Sequence, residues 1–227
     1  MAVYRPKALV FDAYGTLFDV SKLATLLATH VQGKALEVNA IWRERQLQYT
    51  WLRALMQRYV PFSQVTREAL QYACETSGVS LTPSVEEALM QEYLHLEAFP
   101  EVPAMLATLS AHNRLAILSN ADPAMLSGAV MRNGLQHIFD RVLSADQVET
   151  FKPHPSVYAL ADQQLELTKG DILFVSSNPW DIAGAKAAGL MVCWLNRTQQ
   201  SPEVLGVQAD IEIQALTDLL DLENRSL

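Results

Sequence analysis

Three short apolar runs of this chain each end at polar side chains that could carry chemistry. The first run, KALVF, ends at Asp12 in the segment FDAYGTLFD, where Thr16 brings a hydroxyl near the carboxylate. The second, RLAIL, ends at Ser119-Asn120, whose hydroxyl can donate to an anion. The third, DILFV, ends at residues 176–181, SSNPWD. So many polar groups at the end of an apolar run are costly unless they bind one another or a ligand, which favours a functional site.

Each of these motifs also has a structural explanation when it is considered alone. An aspartate after a strand often caps a turn, so Asp12 by itself leaves both interpretations open. Ser119-Asn120 by itself is more typical of a local turn. The ring of Trp180 can pack against a helix as readily as it can line a site. The case for function therefore depends on whether the fold brings these motifs together.

Two cations, Lys152 and Arg43, could hold an anion in this acidic chain. Lys152 precedes a proline that biases it toward extended backbone, but a lone lysine is usually solvated. Arg43 shares a helical face with Leu47 and Thr50 by its i, i+4, i+7 spacing. Other arginines occur on the same predicted helix, so an exposed ion pair is the default interpretation of Arg43.

The apolar runs themselves predict a parallel sheet. Short continuous apolar runs separated by helical stretches are typical of strands buried on both faces. Two further runs, at residues 141–143 and 190–194, predict additional strands. Ligands bind beyond the carboxyl ends of such strands, so the three polar ends should meet in one crevice. The expected fold is α/β, a Rossmann-like, doubly wound, mostly parallel sheet with an inserted helical cap subdomain.

The inserted block follows the first strand and has a different character. Its apolar residues recur at helical spacing, which predicts helices near residues 20–31, 38–60, 63–77 and 83–97. We therefore expect a helical cap at residues 18–97. The catalytic core should comprise residues 1–17 and 98–227.

Composition limits the classes of function. The chain has 227 residues, a formal charge of −8 and a pI of about 5.1, with no cluster of Lys and Arg suited to nucleic acid. The apolar runs are too short to span a membrane, which needs about 20 residues. Cys74 and Cys193 lie outside any metal-ligand spacing, and no signal peptide is evident. We expect a cytoplasmic protein with reduced cysteines that binds neither nucleic acid nor membrane.

In combination, the motifs resemble the haloacid dehalogenase superfamily. The order D-x-x-G-T, S-N, K-P and a polar strand end with a final Asp is its four-motif signature. The segments FDAYGTLFDV, WRERQLQYTWLRALM, ILSN, FKPHPSVY and FVSSNPWD are similar to the (S)-2-haloacid dehalogenases within it. The resemblance covers nearly the whole chain, including the helical block. It implies hydrolysis of short (S)-2-haloacids to (R)-2-hydroxy acids and halide, without a metal or other cofactor, by a homodimer.

The resemblance also implies a role for each catalytic residue. Asp12 would attack C2 of the substrate and form an ester, which water would then hydrolyse. Thr16, Ser176 and Asn178 would orient the Asp12 carboxylate. Lys152 would offset the negative charge, paired with Asp181, which would be the base for the hydrolytic water.

The remaining residues would bind the substrate. Ser119, with backbone N–H groups near Ala13 and Tyr14, would bind its carboxylate. Arg43, Asn120 and Trp180 would surround the departing halide. The pocket would be lined by Tyr14, Leu47, Phe62 and Tyr158. Two departures from the subfamily pattern, Ala121 and Pro179, fall beside these residues and put loop geometry and substrate size in doubt.

Two alternatives remain open at this point. Most members of the superfamily are Mg²⁺-dependent phosphatases, which carry a second Asp two residues after the nucleophile, where this chain has Tyr14. They also place acidic residues at the fourth motif, where this chain begins with Ser176, Ser177 and Asn178, so Asp12 and Asp181 alone make a poor Mg²⁺ site. A binding module that has lost catalysis is the other alternative, although neither the nucleophile nor the cation is missing.

Overall fold

The computed structural model describes residues 5–31 and 33–224, and within them it contains a six-stranded parallel sheet. The strand order is β3-β2-β1-β4-β5-β6 and every neighbouring pair is parallel. The strands are β1 (Ala8–Phe11), β2 (Arg114–Ser119), β3 (Arg141–Ser144), β4 (Ile172–Ser176), β5 (Met191–Leu195) and β6 (Ile211–Ile213). This is the doubly wound order, so the α/β, Rossmann-like prediction is confirmed.

Alternating side chains of the strands supply two hydrophobic clusters. Leu9 and Phe11 of β1 belong to one cluster, whereas Ala8 and Val10 belong to the other. All four residues are buried. Burial on both faces explains why the strands are continuous apolar runs rather than alternating patterns.

The helices lie between the strands along the chain. They are α1 (Ser21–His30), α2 (Ala35–Met56), α3 (Phe62–Thr76), α4 (Pro83–Leu94), α5 (Val102–Ser110), α6 (Pro123–Arg132), α7 (Pro155–Leu165) and α8 (Pro179–Ala187). Of these, α5–α8 pack against the sheet. The four predicted helices correspond to α1–α4, and the five predicted strands correspond to β1–β5. The three-residue strand β6 was not predicted, because two apolar residues flanking one Glu make too short a pattern.

The helix α2 ends earlier than its apolar pattern suggests. The pattern continues to Val60, but Gln57 adopts a left-handed conformation with φ of 55° and closes the helix after Met56. A residue in this conformation satisfies the last carbonyls and redirects the chain. The following segment then leads into α3 at Phe62.

The chain leaves the sheet after β1 and returns before α5 along two adjacent segments. Asp19 N–H donates to Glu97 O at 2.8 Å, and Phe99 N–H donates to Leu17 O at 3.0 Å. Because the outgoing and returning segments pair here, we propose that α1–α4 form the cap expected at residues 18–97. The core of residues 1–17 and 98–227 then carries the whole sheet.

One close contact joins this proposed cap to the core away from the crevice. A Cβ placed on Gly128 of α6 would lie 2.4 Å from the Leu94 carbonyl oxygen at the end of α4. Only glycine permits this approach of the two helices. Among the described residues, no helix has both the length and the apolar character that crossing a membrane requires.

Candidate active site

A small cavity lies at the carboxyl ends of β1, β2 and β4, where the strand order reverses. Its walls come from both parts of the chain: Asp12, Tyr14, Ser119, Asn120, Ala121, Lys152, Asn178 and Trp180 from the core, and Arg43, Leu47 and Phe62 from α2 and α3. A crevice at this switch point is the usual ligand site of an open parallel sheet.

The Asp12 carboxylate is held by three donors. Thr16 Oγ1 and Asn178 Nδ2 donate to Oδ2 at 3.1 Å and 2.9 Å, and Lys152 Nζ donates to Oδ1 at 3.0 Å. Asp12 is 7% exposed. A buried carboxylate needs such donors to be ionised, and they also fix the direction in which its oxygens point.

The turn after β1 places Thr16 between two strand ends. Gly15 has a φ of 84°, which lets the chain fold back so that Thr16 N–H donates to Ala13 O at 3.3 Å. Thr16 Oγ1 also accepts a hydrogen bond from Ser177 N–H at 2.9 Å, and therefore its proton is directed toward Asp12. One hydroxyl thus couples the β1 turn to the β4 loop.

The Lys152 ammonium lies between two carboxylates and is fully buried. Its Nζ donates to Asp12 at 3.0 Å and to Asp181 at 2.9 Å. Asn120 Oδ1 accepts the Lys152 N–H at 2.7 Å, which ties the β2 loop to this segment. Burial lowers the pKa of Lys152, but the charges of Asp12 and Asp181 outweigh it and the pKa is raised.

Asp181, at the start of α8, is the second carboxylate of this group and is fully buried. Its Oδ1 accepts a hydrogen bond from Tyr158 Oη at 2.7 Å, and its Oδ2 accepts from Lys152. Burial is the main cause that raises the pKa of Asp181 to about 6, while Lys152 opposes the rise and Asp12 adds to it. The same burial, with the neighbouring Asp181 charge, raises the pKa of Tyr158.

The helix α2 supplies the cavity with one cation. Arg43 lines the wall with Leu47, and its Nη1 donates to Gln46 Oε1 at 2.5 Å. Trp180, on the core side, packs edge to face with Trp51 of the same helix at a centroid distance of 5.8 Å. The two parts of the chain therefore meet around the cavity through an aromatic pair.

The structure brings most of the predicted site residues to the cavity wall. Thr16, Asp181, Ser176 and Ala13 lie behind that wall; Ser176 Oγ accepts from Asn178 N–H at 3.1 Å and so holds the β4 loop. Tyr158, which was expected to line the pocket, also lies behind the wall. Its side chain is fully buried beneath Asp181, because α7 packs against α8 and the sheet.

Two residues near the cavity were not predicted as site residues. Ala121 lines the wall, and the sequence analysis noted it only as a departure from the subfamily pattern. Gln46 is fully buried beside Arg43. A signal for Gln46 was present, because it continues the i, i+4 series of Val38 and Trp42 that faces the cap interior.

A family model for haloacid dehalogenase-like hydrolases matches residues 6–189. The chain belongs to this family. It is 43% identical over 217 residues to an (S)-2-haloacid dehalogenase of Pseudomonas sp. strain YL, covering 95% of this chain and 94% of that protein.

Solved structures of the family agree with the fold. An L-2-haloacid dehalogenase crystal structure superposes with a TM-score of 0.94 at 41% identity, covering 97% of this chain and all of the other. The L-2-haloacid dehalogenase of Xanthobacter autotrophicus, solved with chloropropionic acid covalently bound, superposes with a TM-score of 0.91 at 38% identity. That alignment covers 96% of this chain and 98% of the other.

The charge arrangement predicts where Asp181 titrates. Because its pKa is raised from 3.8 to about 6, the folded protein takes up a proton before the unfolded chain does as the pH falls. The free energy of unfolding should therefore gain a contribution from Asp181 as the pH drops through 6, and Asp181→Asn should lack it. Carbon-13 NMR of labelled aspartates should show one carboxyl titrating near pH 6. The half-buried Asp171, whose pKa is lowered, is the internal control, and an Asp181 midpoint at or below 4 would contradict this assignment.

Proposed function

We propose that the protein is an (S)-2-haloacid dehalogenase, which converts short (S)-2-haloalkanoic acids and water to (R)-2-hydroxy acids and halide. The single observation that carries the proposal is the Asp12 carboxylate, fixed by three donors and facing a cavity that also holds Arg43. The relative with a covalently bound haloacid supports a covalent intermediate here.

In the first step, an Asp12 carboxylate oxygen attacks C2 of the substrate. A C–O bond forms while the carbon–halogen bond breaks, and the halide leaves with the bonding electron pair. Attack on the side of C2 opposite the halogen inverts the configuration at C2. A site that binds one substrate enantiomer therefore yields one product enantiomer. No proton is needed by the leaving halide, which suits a site with Tyr14 where an acid would stand in a phosphatase.

The substrate carboxylate needs donors on the core side of the cavity. Ser119 Oγ accepts from Ala121 N–H at 3.2 Å, so its own proton can point into the cavity. We assign the carboxylate to this hydroxyl and to the N–H groups of Ala13 and Tyr14. The halide would then leave toward Arg43, Asn120 and Trp180, with Leu47 and Phe62 as apolar walls.

In the second step, water attacks the carbonyl carbon of the Asp12 ester. The bond between that carbon and the former Asp12 oxygen on C2 breaks, and that oxygen leaves as the product hydroxyl after taking up the proton that the attacking water has released. Asp12 is regenerated with one oxygen from water. Asp181 is the proton acceptor that we assign, because its pKa of about 6 is close to the working pH. Its oxygens accept hydrogen bonds from Lys152 and Tyr158, and Lys152 joins it to Asp12.

We also propose that the reaction needs no metal ion. The space between the two carboxylates, where a cation would bind, is occupied by the Lys152 ammonium. Among the described residues, no group of three or more His, Cys, Asp or Glu side chains is arranged to hold a metal.

A paired assay tests the reaction class. The enzyme should release chloride from (S)-2-chloropropionate, form (R)-lactate, leave the (R) substrate largely untouched, and keep this activity after exhaustive EDTA treatment. It should not hydrolyse p-nitrophenyl phosphate. Phosphate release restored by Mg²⁺ would support the phosphatase alternative, and no reaction with either compound would support the binding module.

A single turnover in H₂¹⁸O tests the covalent step. With enzyme in excess, the label should enter Asp12, because water attacks the ester carbonyl and not C2. Peptide mass spectrometry should then find the label in the fragment that contains Asp12, with little in the first lactate formed. Label appearing directly in lactate would mean that water itself displaces the halide.

We further propose that the enzyme is a homodimer that pairs through the end of α2. Leu52, Leu55 and Met56 lie on one face of this helix and are 43%, 82% and 59% exposed. Adjacent exposed apolar side chains of this kind mark an interaction surface.

Sedimentation equilibrium tests the dimer. The wild type should sediment at twice the chain mass of 25.2 kDa, and Leu55→Glu should shift it toward the monomer by burying a charge in the interface. Leu36→Glu is the matched control, since Leu36 is also 82% exposed but lies at the other end of α2. A monomeric wild type, or equal behaviour of the two variants, would exclude this face.

A further inference from the structure

Gln46 is a polar side chain enclosed in the helical cap, and both ends of its amide are bonded. It is fully buried between α2 and α3. Its Oε1 accepts from Arg43 Nη1 at 2.5 Å, and its Nε2 donates to Thr66 Oγ1 at 2.7 Å. Burying an amide where an apolar side chain would fit costs free energy unless its hydrogen bonds are made.

The direction of the amide is fixed by its neighbours. Thr66 Oγ1 donates its proton to Phe62 O at 2.7 Å, so toward Gln46 it can only accept. The amide nitrogen must therefore face Thr66, and the oxygen must face Arg43. Since the guanidinium only donates, this is the one orientation that satisfies both partners.

The same amide oxygen connects other residues of the cavity wall. Tyr93 Oη donates to Gln46 Oε1 at 3.5 Å, and Tyr93 O accepts from Tyr14 Oη at 3.2 Å. Tyr14 and Phe62 both line the cavity, as Arg43 does. Gln46 is therefore at the centre of a buried hydrogen-bond network that connects these three wall residues. Arg43 is the only cation among them.

An amide differs from a carboxylate in what it does to a guanidinium. A glutamate here would neutralise Arg43 and compete with an incoming anion, whereas a neutral oxygen fixes the side chain and leaves its charge available. Holding the guanidinium in one direction matters because a free arginine side chain samples many rotamers, only some of which point its charge at the halide.

We propose that Gln46 is a positioning residue that aims the Arg43 guanidinium at the departing halide. This inference rests on the proposed dehalogenase function. Gln46 acts only through Arg43, so its contribution belongs to the step in which the halide gains its charge and to the binding of free halide afterwards.

Gln46→Met tests this, because methionine keeps the length of the side chain and removes the acceptor. With (S)-2-chloropropionate, kcat should fall by about 10-fold while KM changes little, since misaligned groups cost rate rather than ground-state binding. The inhibition constant of bromide should rise in parallel. In an Arg43→Ala background the same substitution should cost no further rate, because the group that it positions is gone.

A matched control lies on the same helix. Gln48 Oε1 accepts the equivalent i+3 hydrogen bond from Arg45 Nη1. The Arg45 guanidinium lies over the Tyr72 ring, away from the cavity. Gln48→Met should leave kcat, KM and bromide inhibition unchanged. A folded Gln46→Met with kcat within two-fold of wild type, or losses that add to those of Arg43→Ala, would overturn the inference.

The partner of the amide provides an independent variant if Gln46→Met does not fold. Thr66→Val removes the oxygen that orients Gln46, and Thr66→Ser keeps it. The valine variant should show the same loss in kcat and in bromide affinity, and the serine variant should restore both. Equal values for the two would overturn the inference, whereas a wild type that releases no halide would overturn the proposed function together with it.

Discussion

The buried ammonium of Lys152 lies within 3.0 Å of one Asp12 oxygen and 2.9 Å of one Asp181 oxygen. Without it, two carboxylates would share a site closed to water, and one of them would hold a proton. Removing a single partner from such a buried group typically costs about 3–5 kcal/mol. The ammonium therefore offsets the charge of both carboxylates, while burial raises the pKa of Asp181.

The parallel sheet brings these charges together. Asp12 follows β1 and Asn178 follows β4, and the two strands are neighbours at the point where the strand order reverses. Lys152 reaches the same point from the loop after β3, where Asn120 Oδ1 holds its backbone N–H. Each short loop carries one part of the site, and Thr16 links two of these loops by a single hydroxyl.

Helices α2 and α3 contribute part of the cavity wall and the second positive charge. Arg43 lines the cavity from α2, and Lys152 holds Asp12 in the wall of the same cavity. A displacement moves negative charge from the attacking oxygen to the leaving halide, and the cavity holds one cation beside Asp12 and a second on α2 that can stabilise this charge. Trp51 on Trp180 and Tyr59 on Phe151 close the junction between the two parts with apolar contacts.

The sequence by itself determined five of the six strands in the described part of the chain, the helical block and the polar strand ends, because each depends on local patterns of apolar and turn residues. It also marked Asp12 and residues 176–181 as candidates for chemistry. Only the tertiary structure decided that Lys152 is buried rather than solvated, since its carboxylate partner Asp12 is 140 residues away in the chain. It likewise placed Tyr158 beneath Asp181 and Gln46 beside Arg43. Burial of these side chains depends on which helices pack together, and the hydropathy pattern along the chain does not determine that packing.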